Sequence, residues 1–184
     1  MQDRHDCETD GCEHLTVKVM GQPSPHSVFT RRGEPKPGFY HMKAWQAQIQ
    51  VAMKQVWNIS PYEGPLMVET AFYMAPGKSA PTKDKEAYFR WCMKHVVMKP
   101  DLDNLRKAAI DALQGIVFVN DSQVISGGMA KFFIDRFEES EPYTLFHIMP
   151  VHIHLMDAST TYCSGEMHTA PFVKYAPNDG YMED

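Results

Sequence analysis

The stretch that leaves least freedom is "MKPDLDNLRKAAIDALQG", Met98 to Gly115. Pro100 cannot continue a helix from before it and pushes Lys99 into extended backbone. Gly115 supplies a natural stop. Between them Leu105, Ala108, Ala109, Ala112 and Leu113 recur at three- and four-residue steps. The pattern predicts a helix from about Asp103 to Leu113 with one apolar face. Two carboxylates, Asp101 and Asp103, stand at its mouth, and Lys107 follows one turn later.

The flanking segments mix the two periods. "HLTVKVMG" (14–21) alternates Leu15, Val17 and Val19 with polar residues and reads as a half-buried strand, broken by "GQPSP" (21–25). Met42, Trp45, Ile49, Met53 and Val56 mark an amphipathic helix over 41–58. "LMVETAFYM" (66–74) is a second strand, "KDKEAYFRWCMKH" (83–95) a candidate short helix, and "HVVMK" (95–99) a short strand. "IVFVNDSQVISGG" (116–128) reads as strand, turn, strand, continued by "MAKFFIDRF" (129–137), and "YTLFHIMPVHIHL" (143–155) as a last strand. No regular βαβ rhythm appears, so the fold class expected is α+β: a small mixed sheet with two main helices.

Composition matters here for what it excludes. With 43% apolar residues the chain can bury a core, and no window approaches a membrane span. The polar N-terminus does not read as a secretory signal, and four irregularly spaced cysteines do not form a disulfide framework. A reducing cytoplasm is the expected setting. The net charge of −5 is unevenly placed: −4 over residues 1–14, +6 over 15–137 and −7 over 138–184. A basic body between acidic ends suits a phosphate-bearing partner, although acidic ends also serve solubility alone.

In an extended segment residues two apart point the same way, so Asp101 and Asp103 aim together. Their mutual repulsion is relieved by a divalent cation, and Mg²⁺ takes one or two carboxylates while leaving places for water and phosphate. Asp121, on the turn after the next predicted strand, could return as a third carboxylate, and Lys107 could reach a phosphate. The same residues also permit a plainer account. Asp103 is a good N-cap, Asp103, Lys107 and Asp111 could form a surface ion-pair ladder, and Asn120-Asp121 is ordinary turn chemistry. Spacing alone leaves both open.

The whole window Lys99–Ile125, "KPDLDNLRKAAIDALQGIVFVNDSQVI", resembles the signature of the RusA-type Holliday-junction resolvases, common in phages and prophages. That pattern joins Lys-Pro-Asp-x-Asp-Asn-Leu-x-Lys to an Asp-Ala-Leu and an Asp-Asp-x-Gln-Ile/Val turn. Gly21-x-Pro23-x-Pro25 after the first strand agrees more loosely, and the resemblance spans about residues 14–137. It implies a RusA-like, dimeric α+β fold. It also implies a crossover-junction endodeoxyribonuclease using Mg²⁺ or Mn²⁺, with Asp101, Asp103 and Asp121 as metal ligands and Lys107 as the essential lysine. A homodimer would place paired symmetric nicks in a four-way DNA junction, in the cytoplasm of a bacterial or phage-infected host cell. The chain departs at Asn120, where the family usually has Asp, and in a diluted basic segment retaining Arg31 and Arg32. The expected division is an acidic extension (1–14), a nuclease domain (15–137) and an acidic C-terminal extension (138–184), partly strand.

Candidate DNA-binding cations are Arg31, Arg32, Lys78, Lys83, Lys85 and Arg90, with Tyr88, Phe89 and Trp91 as base stackers or core residues. His5, Cys7, Cys12 and His14 are zinc-type ligands, but the spacing matches no common finger, so a flexible polar end is favoured over zinc. Two other functions compete with the nuclease. One is a non-catalytic junction-binding protein of the same fold. The other is a D-x-D metal enzyme acting on nucleotides, such as a sugar-nucleotide transferase.

Overall fold

The computed structural model describes residues 14–27, 29–30, 32–138, 141–151, 153–156 and 159–162. The alternation at the start becomes β1 (Leu15–Met20), with Val17 and Val19 buried and Thr16, Lys18 and Met20 exposed. Helix α1 (Phe39–Val56) buries Met42, Trp45, Ile49 and Met53 as expected, and also Gln46, while Val56 stays exposed at the C-terminal end. Burial of Gln46 is compensated, because its amide donates to the carbonyl of Ala108 at 2.9 Å. β2 (Leu66–Met74) follows, then α2 (Lys85–His95), whose Asp84 cap accepts from the Ala87 amide.

No strand forms at 95–99. The last turn of α2 instead continues into turns and bends, with the amide of Val96 donating to Cys92 and that of Met98 to His95. Val96 and Val97 had suggested a strand by propensity, but local helix-end hydrogen bonds win. Helix α3 (Leu102–Leu113) starts one residue earlier than expected, with Asp101 rather than Asp103 at the N-cap. It ends as the stop signal required: Gly115 takes φ +77°, a left-handed conformation that favours glycine.

The strand expected over 116–119 is also absent. The chain turns back at once, Gly115 donating to the Phe118 carbonyl, and Val117 and Phe118 drop into the core. A single 3₁₀ turn (Asp121–Gln123) leads to β3 (Val124–Ser126) and β4 (Met129–Phe133). The two strands are separated at Gly127, where φ is +137° and a Cβ would strike the Val68 carbonyl. β5 (Tyr143–Pro150) and β6 (Ile153–Met156) divide what had read as one last strand, and β7 (Ser159–Tyr162) pairs with β6.

The main sheet is mixed. Its order is β1-β5-β2-β3, with β4 pairing β2 as well; β5 lies antiparallel to β1 and β2, and β3 and β4 run parallel to β2. Thus β5, which the sequence placed in the C-terminal extension, lies within the sheet. Cys12–Val151 forms one compact unit. The β6–β7 hairpin belongs to a second unit.

The architecture is therefore α+β with a mixed sheet and three helices, the two main ones and the short α2. α1 and α3 supply most of the helical core, and α2 buries only Tyr88. Trp45, Ile49, Leu105 and Leu113 meet Val68, Phe72 and Phe146 in one cluster, each almost fully buried and each contributing ~1.5–3 kcal/mol or more. Among the described residues no helix is long and apolar enough to cross a membrane.

Candidate metal centre

With its core stripe facing the sheet, α3 turns the opposite side outward. Residues at three- and four-residue steps from Asp103, namely Arg106, Lys107, Ile110 and Asp111, form one wall of a hollow of about 390 Å³. Asp121 from the 3₁₀ turn, Val124 from β3 and Met129 from β4 complete it. The fold thus brings Asp103, Lys107 and Asp121 to one hollow although Asp121 lies 18 positions along the chain from Asp103.

Asp121 is held there by its neighbours. The side chain of Asn120 accepts from the Ser122 amide at 2.9 Å, and the Gln123 side chain accepts from the Asn120 amide at 2.8 Å. This is a reciprocal cap. The Gln123 amide nitrogen then donates to the carbonyls of Tyr62 at 2.8 Å and Gly64 at 2.9 Å. Through Gln123 the turn is tied to the segment leading into β2, and the Asp121 side chain is left exposed.

Asp101 does not line the hollow. It caps α3 by position, yet its carboxylate makes no capping hydrogen bond, so the helix does not consume it. Nor does the ion-pair ladder close. Among the described residues the ion pairs are Asp111 with His26 at 3.8 Å, Lys85 with Asp135 and Glu138, and Arg90 with Glu86; Lys107 is in none of them. Also among the described residues, no three His, Cys, Asp or Glu side chains converge as a ready-made cage. The donor set is nonetheless suited to Mg²⁺ or Mn²⁺: hard oxygen ligands on an open surface, few enough to leave room for water and phosphate.

The other candidates scatter. Arg31, His5, Cys7 and Cys12 lie outside the described residues. His14 stacks on His147 with ring centroids 5.8 Å apart. Arg32, Lys78 and Lys83 are exposed on loops and do not line the hollow. Lys85 reaches Asp135 at 3.4 Å and Glu138 at 3.3 Å, and these acids raise its pKa. Arg90 meets Glu86 at 2.7 Å. Both cations thus have acidic partners within the chain.

The aromatic trio packs. Tyr88 is buried and donates its hydroxyl to the Ile134 carbonyl, and burial drives its pKa well upward. Trp91 lies against Phe133 at 5.0 Å and stacks on His95 at 4.2 Å. Cys92 shares this environment, which pushes its thiol pKa up.

Two residues, one lining the hollow and one bonded to the segment before α3, escaped the sequence reading. Arg106 lies three positions after Asp103, so the helical period that marked Lys107 marks it too. Lys131 sits between Met129 and Phe133 on β4, and its ammonium donates to the carbonyls of Met98 and Pro100, each at 2.6 Å. A lysine between two apolar residues on one strand face was the available signal.

A family model described as endodeoxyribonuclease RusA matches residues 20–139. No curated protein matches the chain.

Proposed function

The chain belongs to the RusA endodeoxyribonuclease family, and from that premise we propose that it is a divalent-metal-dependent endonuclease that resolves four-way DNA junctions by paired, symmetric nicks. The observation that carries this reading is the meeting of Asp103, Lys107 and Asp121 around one hollow.

Asp103 and Asp121, joined by Asp101 from the helix mouth, would hold Mg²⁺ or Mn²⁺. When bound, the ion supplies a water of lowered pKa and positive charge for the leaving oxygen. Lys107 sets a second positive charge on the same wall, where it meets a phosphate oxygen and offsets charge that develops as the bond breaks. Ile110, Val124 and Met129 lend the hollow an apolar flank, which strengthens the electrostatics beside it. A four-way junction has two-fold symmetry, so paired cuts call for two sites related by the same axis. We place the enzyme as a homodimer with one site per protomer.

The test uses synthetic four-way junctions with Mg²⁺ or Mn²⁺, comparing wild type with Asp103→Asn. Paired nicks are expected from wild type, and binding without cleavage from the variant. Wild type that binds but never cuts with either ion overturns the enzyme reading and leaves a junction-binding protein of the same fold. Equal cutting of linear duplex overturns junction selectivity and leaves a nuclease.

A further inference from the structure

Asp101 hangs from a segment with few local ties. Residues 96–100 are turn and bend, and Met98 is exposed. Only from Asp101 onward does α3 impose its geometry, the Leu105 amide donating to the Asp101 carbonyl at 3.2 Å. The position of the Asp101 carboxylate therefore depends on what holds the chain just before it.

Lys131 does so. It lies beside Phe72 in the β2–β4 register, so its side chain leaves the sheet on the helix-bearing face. Two residues back on the same face, Met129 lines the hollow. From there the Lys131 ammonium spans to two carbonyls, Met98 and Pro100, each at 2.6 Å. The Pro100 carbonyl belongs to the peptide plane whose nitrogen is that of Asp101, so gripping it fixes the plane from which Asp101 projects. These are charge-assisted bonds, stronger than neutral ones. No carboxylate among the described residues forms an ion pair with Lys131. Partly buried as it is, a cation satisfied by two carbonyls of one loop serves mainly to hold that loop.

We propose that Lys131 is a positioning residue: it ties the segment before α3 to β4 and so sets the Asp101 carboxylate beside Asp103 for cation binding. The assignment rests on the metal-site reading above but not on the identity of the DNA substrate. Groups that orient ligands from outside a metal's own shell typically alter affinity or activity by ~10–100-fold when removed.

The experiment is a Mn²⁺-binding titration of the full chain, read by the spin-resonance signal of free Mn²⁺, on wild type, Lys131→Met, Lys131→Arg, Asp101→Asn and the double variant Lys131→Met/Asp101→Asn. Lys131→Met is expected to weaken Mn²⁺ by ~10-fold or more, with Lys131→Arg recovering most of it. In the Asp101→Asn background Lys131→Met should add nothing, because its effect passes through Asp101. Melting curves without metal identify folded variants, and Lys131→Gln replaces Lys131→Met throughout if the latter does not melt cooperatively. Wild-type affinity in the methionine variant, failure of arginine to recover it, or additive losses in the double variant would each overturn the assignment. Wild type that binds Mn²⁺ but leaves branched DNA uncut overturns the nuclease reading and not the role of Lys131. Wild type that binds no Mn²⁺ overturns both.

Discussion

The side-chain amide of Gln123 donates to the main-chain carbonyl of Tyr62 at 2.8 Å, joining the Asp121 turn to the segment that enters β2. The same side chain also serves the Gly64 carbonyl and the Asn120 amide. Three bonds from one residue set where Asp121 stands. Gln123→Ala releases all three and leaves partly buried backbone groups unpaired. A loss of ~1–3 kcal/mol in urea unfolding is expected, together with weaker Mn²⁺ binding. Gln123→Glu keeps the acceptor for Asn120 but loses the donors to Tyr62 and Gly64, so it should resemble alanine more than wild type. Unchanged stability and Mn²⁺ affinity in both variants would show the clamp to be incidental.

How legible was this arrangement beforehand? Helix α3 and its apolar stripe were plain, because Pro100 and Gly115 bracket a strong three-to-four-residue period. β1 and the run from 143 alternate, although the latter divides into β5 and β6, and β2 is the apolar run after Gly64-Pro65. The two strands read at 95–99 and 116–119 failed for different reasons. At 95–99 the hydrogen bonds that extend the end of α2 win, leaving Val97 and Met98 exposed. At 116–119 a short apolar run fits a turn that buries its side chains, as Val117 and Phe118 do. Sheet order could not be read, since pairing between Leu66–Met74 and Tyr143–Pro150 joins segments far apart in sequence. At the site, the helix period announced Asp103 and Lys107 on one face. The return of Asp121 depended on Gln123 meeting carbonyls some 60 residues earlier, which no local pattern encodes. For Lys131 the sequence offered only its odd place between Met129 and Phe133; its partners, the carbonyls of Met98 and Pro100, lie across the fold.

Lys107 lines the hollow, is exposed, and forms no ion pair with any described acid. If its charge acts on the reacting phosphate, Lys107→Met should lower single-turnover cleavage of a four-way junction by ~10²–10³-fold. Junction affinity should change far less, since one contact among many is lost. Equal losses in binding and in cleavage rate would instead make Lys107 an ordinary backbone contact.

Arg106 adds a guanidinium to the same wall. A phosphate contact of this kind carries no sequence information. Arg106→Ala should therefore weaken junctions of different sequence alike, and reduce the magnitude of the salt slope of log affinity by about 1. A variant whose slope matches wild type between low and moderate salt would remove Arg106 from the DNA interface.

Tyr88 gives the fold an alkaline limit. Burial is the main cause that raises its phenol pKa above the ordinary 10.0, and its hydroxyl donates to the Ile134 carbonyl. In the unfolded chain the phenol sheds its proton above about pH 10, while the folded chain retains it. The unfolded state then binds fewer protons, so stability contributed by neutral Tyr88 is fully present below pH ~10 and is lost as pH rises beyond it. Tyr88→Phe cannot ionise. At pH 8 it should be less stable than wild type by ~1–3 kcal/mol, because the buried Ile134 carbonyl loses its donor. Between about pH 9 and pH 11 that gap should narrow, since only wild type pays for ionisation. Guanidinium unfolding of both proteins across this range is the measurement. A gap that stays constant or widens would mean that Tyr88 ionises as readily folded as unfolded, contrary to its burial between α2 and the chain after β4.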